Sequence, residues 1–514
     1  MSIVVRRRRE TGAADLVGDG GETSERLIVV SNRVPIPTAA DAPRAGGLAV
    51  ALEAALKQRG GLWYGWSGAT SESDEIKPVE LHNVGPVTYA VSDLSQRDLD
   101  DYYFGFANRA LWPVCHYRLD LTGFSRRNTA GYFRANEFFA KRLAPLLAPD
   151  DLVWVHDYHF IPFAAQLRDM GFANRIGFFL HIPWPPSDVA GVLPAYDLLL
   201  RGFAAYDVIG FQTPLDVDNF VSGLTRHGMG RALGGGFYEA FGRRFQVAAF
   251  PIGIDTPAFR AEAAHAQRHP LVRRTKASLE GKQLIIGVDR LDYSKGIGQR
   301  IEAFSCFLES NPSLRGRVTY LQITPKSRSE VPEYVEMQRE VAEQIGSTNG
   351  RFGDLDWTPI RYTNRPVNHA ALTGLYRLAQ VGLVTPLRDG MNLVAKEYVA
   401  SQSPDDPGVL ILSRFAGAAQ ELDAALIVNP YDTDMTATVM ARALAMPLEE
   451  RRERWTAMMA RIEDNSVGHW CANFVEALAE DGFASQPAEA LALSRDGEAG
   501  RTAGSASPWS RARN

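Results

Sequence analysis

The sequence predicts an α/β protein with two parallel sheets, each covered by helices, and three observations carry that prediction. Apolar, strand-like runs alternate with segments of helical period twice along the chain, once in each half. In the second half, the apolar run Val381 to Val384 leads into a sharp turn at Asp389-Gly390 and then a helical pattern through Asn392, Leu393 and Glu397. A second run, Lys282-Gln-Leu-Ile-Ile-Gly-Val-Asp-Arg290, is followed by the loop Leu291-Asp-Tyr-Ser-Lys-Gly296 and another helical pattern. A chain of 514 residues, 45% of them hydrophobic, is long enough for two or three domains with cores of their own.

The elements follow in order. Strands are expected in the first half at Arg26–Arg33, Leu62–Ser67, Val87–Val91, Leu152–His156, Arg175–His181 and Phe245–Pro251. Leu48, Leu52 and Leu56 recur at four-residue steps, which sets them on one face of a helix between the first two strands. The second half repeats the alternation at Leu284–Val288, Val318–Ile323, Ile360–Tyr362, Val381–Val384, Val409–Leu412 and Leu426–Val428, with helices such as Gln299–Leu308 and Tyr334–Ile345 between. Asp255 to Lys276 is polar and flanked by prolines, so the hinge is placed there. Leu448 to Phe483 reads as a terminal helical region with no strand after it.

Strand, glycine turn and helix start bring unsatisfied N–H groups and the positive end of a helix dipole over one crevice. That arrangement suits an anion such as a diphosphate. Asp389 and Glu397 stand eight positions apart, one at the turn and one about two helical turns on. Carboxylates so placed suit the hydroxyls of a sugar and a ribose, although an ordinary strand–turn–helix with solvated acids has the same string. Arg290 and Lys295 lie in the loop at the carboxyl end of a strand, where open α/β sheets bind ligands. Arginine offers phosphate a planar fork and lysine a compact charge.

Composition narrows the rest. Lys plus Arg number 55 against 60 Asp plus Glu, a net charge of −5 that argues against a general nucleic-acid or membrane-surface binder. Cys115, Cys306 and Cys471 are far apart and show no metal-like spacing, which is the usage of a reduced, cytoplasmic chain. Arg6-Arg-Arg-Arg9 precedes no signal-like apolar run and reads as part of a disordered arm, residues 1–25. No stretch reaches the ~18 apolar residues of a membrane span. Ser485 to Asn514, rich in Ala, Gly, Ser and Arg without periodicity, reads as a disordered tail.

Arg290-Leu-Asp-Tyr-Ser-Lys-Gly296 and Pro386-Leu-Arg-Asp-Gly-Met-Asn-Leu-Val-Ala-Lys-Glu397 closely resemble the donor-site motifs of the trehalose-6-phosphate synthase family. Val30–Val34, Ala45-Gly-Gly-Leu48, Leu62–Gly68, Leu111-Trp-Pro113, His116-Tyr-Arg118, Trp154–His159, Phe178–Pro183 and Pro251–Ile254 match in the same order, so the likeness covers about residues 26 to 484. The resemblance implies a GT-B fold, two Rossmann-like domains facing each other across a cleft. It further implies an acceptor-side domain at 26–255, a nucleotide-sugar donor domain at 256–455 and a helical crossover at 456–484 returning to the first domain. The implied reaction moves glucose from UDP-glucose or ADP-glucose to glucose 6-phosphate with retention, giving α,α-trehalose 6-phosphate.

By resemblance, Arg290 and Lys295 bind the donor diphosphate, Met391, Asn392, Leu393 and Val394 support it from the helix start, and Glu397 holds the ribose. Asp389 and His181 contact the transferred glucose, Gly46-Gly47 let a backbone approach a phosphate, and Val367 lies where the base is held. A bulkier aromatic is expected in place of Val367, which leaves the nucleobase open. The acceptor set is Arg33, Tyr103, Trp112, Asp157 and Arg328, with the two arginines drawn from different halves to clamp one phosphate. Taken alone, His181 reads as a strand-end histidine and Tyr103 and Trp112 as core aromatics.

The leaving diphosphate needs fixed dipoles or cations. Arg290, Lys295 and the helix start near Asn392 supply them, so no metal and no cofactor are expected. The Asp-x-Asp strings at Asp98–Asp100, Asp354–Asp356 and Asp432–Asp434 read as solvated faces. Retention by double displacement requires a carboxylate under the anomeric carbon. Asp157 and Asp389 have other uses, so same-face attack is favoured, with Asp157 orienting the acceptor. The catalytic set is then Asp157, His181, Arg290 and Lys295. A homo-oligomer that binds small-molecule substrates, with no nucleic acid or membrane partner, is expected, and no phosphatase module after Phe483. Two rivals stand beside this reading: a glucosylglycerol-phosphate synthase, and a silent nucleotide-sugar sensor. Retention of Arg290, Lys295, Asp389 and Glu397 argues against the sensor.

Overall fold

The computed structural model describes residues 26–37, 52–53, 56–57, 60–71, 77–226, 228–326 and 332–480. The expected arm and tail, Leu48, Gly46, Gly47 and Arg328 therefore lie outside the described residues.

Ten strands of the first half form one sheet: β1 (Leu27–Arg33), β2 (Gly61–Ser71), β3 (Glu80–Val84), β4 (Val87–Ser95), β5 (Leu152–His156), β6 (Ile176–Phe179), β7 (Val208–Phe211), β8 (Gly230–Gly234), β9 (Phe237–Ala240) and β10 (Arg243–Ala249). Their order is β3-β4-β2-β1-β5-β6-β7-β10-β9-β8. The run from β4 to β10 is parallel, and antiparallel hairpins close both edges. All five residues of β5 are buried, the pattern of a strand covered on both faces. The second half forms a wholly parallel sheet from β11 (Gln283–Val288), β12 (Val318–Ile323), β13 (Ile360–Thr363), β14 (Val381–Val384), β15 (Val409–Ser413) and β16 (Leu426–Val428). Its order, β13-β12-β11-β14-β15-β16, is the doubly wound one, with the direction of winding reversing between β11 and β14. The first sheet reverses in the same way between β1 and β5.

All six strands expected in the second half are present. In the first half the expected Arg175–His181 strand is shorter, ending at Phe179 and freeing His181 for the loop. β7 and the hairpin strands β3, β8 and β9 were not expected; β7 is four residues containing a glycine, and β8 is largely exposed, so neither has a run or an alternation to read. The polar segment Asp255–Lys276 holds the helix Thr256–His265 and most of the helix Pro270–Leu279.

The terminal helical region splits into Leu448–Asp464 and Val467–Ala479. Ser466 starts the second helix by accepting the His469 N–H at 3.2 Å, an N-cap that forces the break. That second helix lies on the first sheet. Phe474 stacks on Trp154 of β5 at 4.5 Å between centroids and 11° between planes. It also covers Gly177 of β6 and Gly210 of β7, where a Cβ would stand 2.7 and 2.8 Å from its ring. The two glycines are thus the groove into which the chain crosses back, as the fold class expected. No helix among the described residues is long and apolar enough to cross a membrane.

Candidate active site

The second sheet presents two loops at its switch point. After β11, Arg290 is exposed, and Asp292 shapes the turn Tyr293–Lys295 by accepting from the Ser294 N–H at 3.0 Å and its hydroxyl at 2.8 Å. After β14, Asp389 reaches back so that its carboxylate lies 2.5 Å from the Lys295 ammonium. Beneath them Arg300, wholly buried, donates to the Thr385 hydroxyl at 3.0 Å and the Lys295 carbonyl at 3.2 Å, and pairs with Asp289 at 2.8 Å. One buried guanidinium therefore fixes both loops. Burial pushes the Asp289 carboxyl up from its ordinary range, and the Arg300 and Lys295 charges oppose that shift.

The turn itself is held by backbone. The Asp389 N–H donates to Phe415 at 3.1 Å, and the carbonyls of Asp389 and Met391 accept from Gly417 at 3.1 Å and Ala418 at 2.8 Å. Asn392 has φ 78°, and its amide donates to Asp389 at 2.9 Å rather than capping the helix Leu393–Ser401. Left-handed backbone is tolerated best by Gly and Asn, which accounts for the asparagine at 392. Of the first-turn N–H groups of that helix, that of Ala395 donates to the Asn392 carbonyl at 3.3 Å, and those of Leu393 and Val394 stand ahead of any i−4 partner within the helix. Met391 is buried and Leu393 and Val394 are half-buried; Val367 flanks the same apolar cluster. Burial raises the Glu397 carboxyl, which accepts from the Tyr376 hydroxyl at 3.4 Å.

On the first sheet, Asp157 follows β5 with φ 76° and ψ 166°, a strained conformation for a residue with a side chain. Its N–H donates to Phe179 at 2.8 Å and its carboxylate accepts the His181 N–H at 3.3 Å. The His181 ring packs 5.3 Å from that of His156, with Nε2 to Nδ1 at 3.1 Å. Desolvation pulls the His181 pKa down to about 3, so the ring is neutral. Arg33, at the end of β1, is exposed with its guanidinium 6.0 Å from the Trp66 ring centre. Tyr103 packs on Trp66 at 5.9 Å and stacks on His159 at 5.8 Å. It sits on a π-helix, Leu99–Leu111, whose wide winding shows where Trp112 N–H reaches back five residues to Ala107. Trp112 is only 5% exposed and packs on His116 and Tyr158, so its ring lies in the core.

The two faces touch. A Cβ on Gly390 would stand 2.1 Å from the His181 carbonyl oxygen, so only glycine lets the turn meet the β6 loop. Arg388 lies 3.9 Å over the Tyr117 ring and Arg118 lies 5.4 Å over that of Tyr293, two cation–π contacts between the halves. Buried Lys396 donates to Ile252 at 2.7 Å and pairs with Glu421 at 2.8 Å. The structure thus groups Lys295, Asp389 and Asn392, groups Asp157 with His181, and groups Arg33 with Tyr103 around Trp66.

His156, Arg300, Arg388 and Lys396 were not singled out from sequence. All four lie in or beside the quoted motifs, yet nothing in their spacing gives their partners. Two of the three Asp-x-Asp strings serve structure. Asp98 pairs with Arg134 at 2.7 Å instead of being simply solvated, because its side chain faces the neighbouring helix Arg126–Leu143. Asp432 caps Thr433–Leu444 by accepting from Met435 at 2.9 Å, while Asp354 and Asp356 are exposed.

Known proteins share this fold. The glycosyltransferase family 20 model matches residues 25–480. A trehalose-6-phosphate synthase of Sinorhizobium fredii is 60% identical over 454 residues, 88% of this chain and 98% of that one. A UDP-forming α,α-trehalose-phosphate synthase of Burkholderia xenovorans, solved in complex with glucose-6-phosphate, is 47% identical with a TM-score of 0.85, covering 88% of this chain and all (100%) of that one. An E. coli structure bound with UDP-2-fluoro glucose is 46% identical with a TM-score of 0.84, covering 88% and 99%. With a family match across both sheets and the crossover helix, the chain belongs to glycosyltransferase family 20.

Proposed function

We propose that the chain transfers glucose from a nucleoside-diphosphate glucose to D-glucose 6-phosphate with retention, giving α,α-trehalose 6-phosphate and the nucleoside diphosphate. The observation that carries this reading is the meeting of two switch points: Lys295 and Asp389 on one sheet stand against Asp157 and His181 on the other, joined at Gly390. Donors are expected to favour uridine, since the Burkholderia xenovorans relative is UDP-forming and the E. coli structure holds a UDP-sugar analogue.

In this reading Arg290, Lys295 and the start of Leu393–Ser401 take the diphosphate, where charge grows as the glycosidic bond breaks. Lys295 shifts its pairing from Asp389 toward phosphate, and Asp389, still held by Asn392, turns its carboxylate to sugar hydroxyls. Glu397 takes the ribose and Val367 lies beside the base. Gly46-Gly47 face the donor, and Arg33, Tyr103, Trp112 and Arg328 serve the acceptor. Asp157 orients the attacking hydroxyl, whose proton passes to the departing phosphate oxygen on the same face. Residues 26–255, 256–455 and 456–484 act as acceptor domain, donor domain and crossover. A cytoplasmic homo-oligomer completes the reading; Cys115 and Cys306 are free thiols, as a reducing compartment would keep them.

The test is a matrix of UDP-, ADP- and GDP-glucose against glucose 6-phosphate, glycerol 3-phosphate and glucose, each run with and without EDTA, with the product linkage determined. Transfer to glucose 6-phosphate giving an α,α-1,1 linkage, unaffected by EDTA, is expected. Preference for glycerol 3-phosphate would replace the acceptor. Loss with EDTA and rescue only by a divalent ion would overturn the metal-free site.

A further inference from the structure

His156 ends β5 and His181 lies two residues beyond the end of the neighbouring β6, and the contact between them fixes more than position. Nδ1 of His156 and Nε2 of His181 lie 3.1 Å apart, so one proton is shared along that line and only one of the two nitrogens carries it. His156 is 1% exposed, and among the described residues its Nε2 has no hydrogen-bond partner. A buried N–H with no acceptor is the rarer orphan. The proton of His156 therefore belongs on Nδ1, where His181 accepts it. Desolvation lowers the pKa of both rings, which keeps the pair neutral and the assignment single-valued.

Aromatic rings hold the pair in place. Trp154 lies 4.6 Å and Trp470 6.2 Å from the His156 ring, while Phe179 and Trp470 lie 4.6 and 6.1 Å from that of His181. Trp470 comes from the crossover helix Val467–Ala479, so the returning end of the chain forms one wall of this pocket.

We propose that His156 is a positioning residue for the transfer: it donates its Nδ1–H to Nε2 of His181 and so keeps the His181 proton on Nδ1, ready to donate to a hydroxyl of the transferred glucose. The inference rests on the reading that His181 contacts that glucose. It adds which nitrogen does so, and what sets it.

Two measurements on the full chain test it. With ¹⁵N-labelled histidine and no substrate, the His181 resonances, assigned by their loss in His181→Asn, are expected to show the Nδ1–H tautomer. In His156→Phe, which keeps a ring among Trp154, Phe179 and Trp470 but removes the donor, they are expected to shift toward Nε2–H. Kinetically, His156→Phe should lower kcat/KM for the sugar nucleotide by about tenfold, the scale of one misdirected hydrogen bond, and leave the acceptor KM unchanged. His156→Asn, whose amide N–H replaces Nδ1–H, should recover most of that loss. An Nε2–H tautomer in the wild type, or wild-type kinetics in His156→Phe, would overturn the proposal; so would equal losses in the Phe and Asn variants. Failure of the wild type to transfer glucose at all would sink the functional reading and the glucose half of the inference with it, while the substrate-free spectrum decides the histidine pair by itself.

Discussion

The Lys295 ammonium lies 2.5 Å from the Asp389 carboxylate, although the two belong to loops after different strands, β11 and β14. Both are largely buried, at 12% and 13% exposed, and each neutralises the other. An entering diphosphate must compete for Lys295, and a sugar must engage the carboxylate that is released. The pair therefore links occupation of the phosphate subsite to that of the sugar subsite.

Lys295→Ala and Arg290→Ala should each reduce turnover by about 10²–10³, the usual cost of removing one preorganised group facing a developing charge. The fold should survive, since Arg290 is exposed and Arg300 still ties the two loops. Turnover at saturating substrates, with circular dichroism as a control, checks both. Near-normal rates in the two variants would move the diphosphate elsewhere.

Stability should acquire a histidine-dependent loss in acid. Burial holds the His116 pKa at about 4, below the ordinary value near 6.5, against the pull of Asp292 and Asp389. Between those pH values the unfolded chain takes up a proton that the folded chain refuses, so the contribution present above about 6.5 is lost as pH falls toward 4, by at most ~1.4 kcal/mol per pH unit. Buried carboxyls with raised pKa, such as Asp289 and Glu397, work in the opposite sense. The difference between wild type and His116→Asn isolates the histidine, since Asn keeps a donor for the Trp112 carbonyl that Nδ1 meets at 2.7 Å. Denaturant unfolding from pH 7.5 to 4.5 should show the wild-type advantage flat above 6.5 and falling below it. A pH-independent difference would contradict this.

Lys396→Met should loosen the junction of the halves. The ammonium, its pKa lowered by burial, bonds the Ile252 carbonyl and Glu421, and Glu421 also accepts from Asn465 at 2.8 Å beside the crossover helix. Because Glu421 keeps some access to water, the cost should be about 2–3 kcal/mol, below the about 3–5 of a wholly buried pair. The double variant with Glu421→Gln should recover part of it. KM for both substrates should rise together in Lys396→Met, because the relative placement of the two sheets is altered; a rise for the donor alone would speak against a junction role.

The fold was legible where burial is uniform. In the second sheet β11, β14 and β15 are short, mainly apolar runs buried along almost their whole length, and Arg290, Lys295 and Asp389 could be located because they follow two of them. The first half hides more. Val208–Phe211 is too short to show a period, and the π-helix Leu99–Leu111 repeats its contacts five residues apart, so a 3.6-residue period does not describe it. Trp112 shows how two readings can share one residue: its motif implies an acceptor contact, its bare sequence context a core aromatic, and its ring is packed on His116 and Tyr158. His156, Arg300 and Lys396 each depend on one partner far along the chain, His181, Thr385 and Ile252, at separations of 25, 85 and 144 positions, and no local pattern encodes such pairs.

Acceptor choice should rest on phosphate. Arg33 stands at the end of β1, exposed, with its guanidinium over Trp66. A phosphate dianion gripped by Arg33 together with Arg328 gains charge-assisted hydrogen bonds of ~1.5–3 kcal/mol each. Free glucose would leave the two guanidinium groups to repel each other as the cleft closes. Arg33→Ala and Arg328→Ala are therefore expected to raise the glucose 6-phosphate KM by about tenfold or more, with little change in donor KM. If both grip one group, the double variant costs less than the sum of the singles. Initial rates with varied acceptor at saturating donor decide the matter. Equal use of glucose and glucose 6-phosphate by the wild type, or variants that alter donor binding only, would remove the phosphate from this end of the cleft.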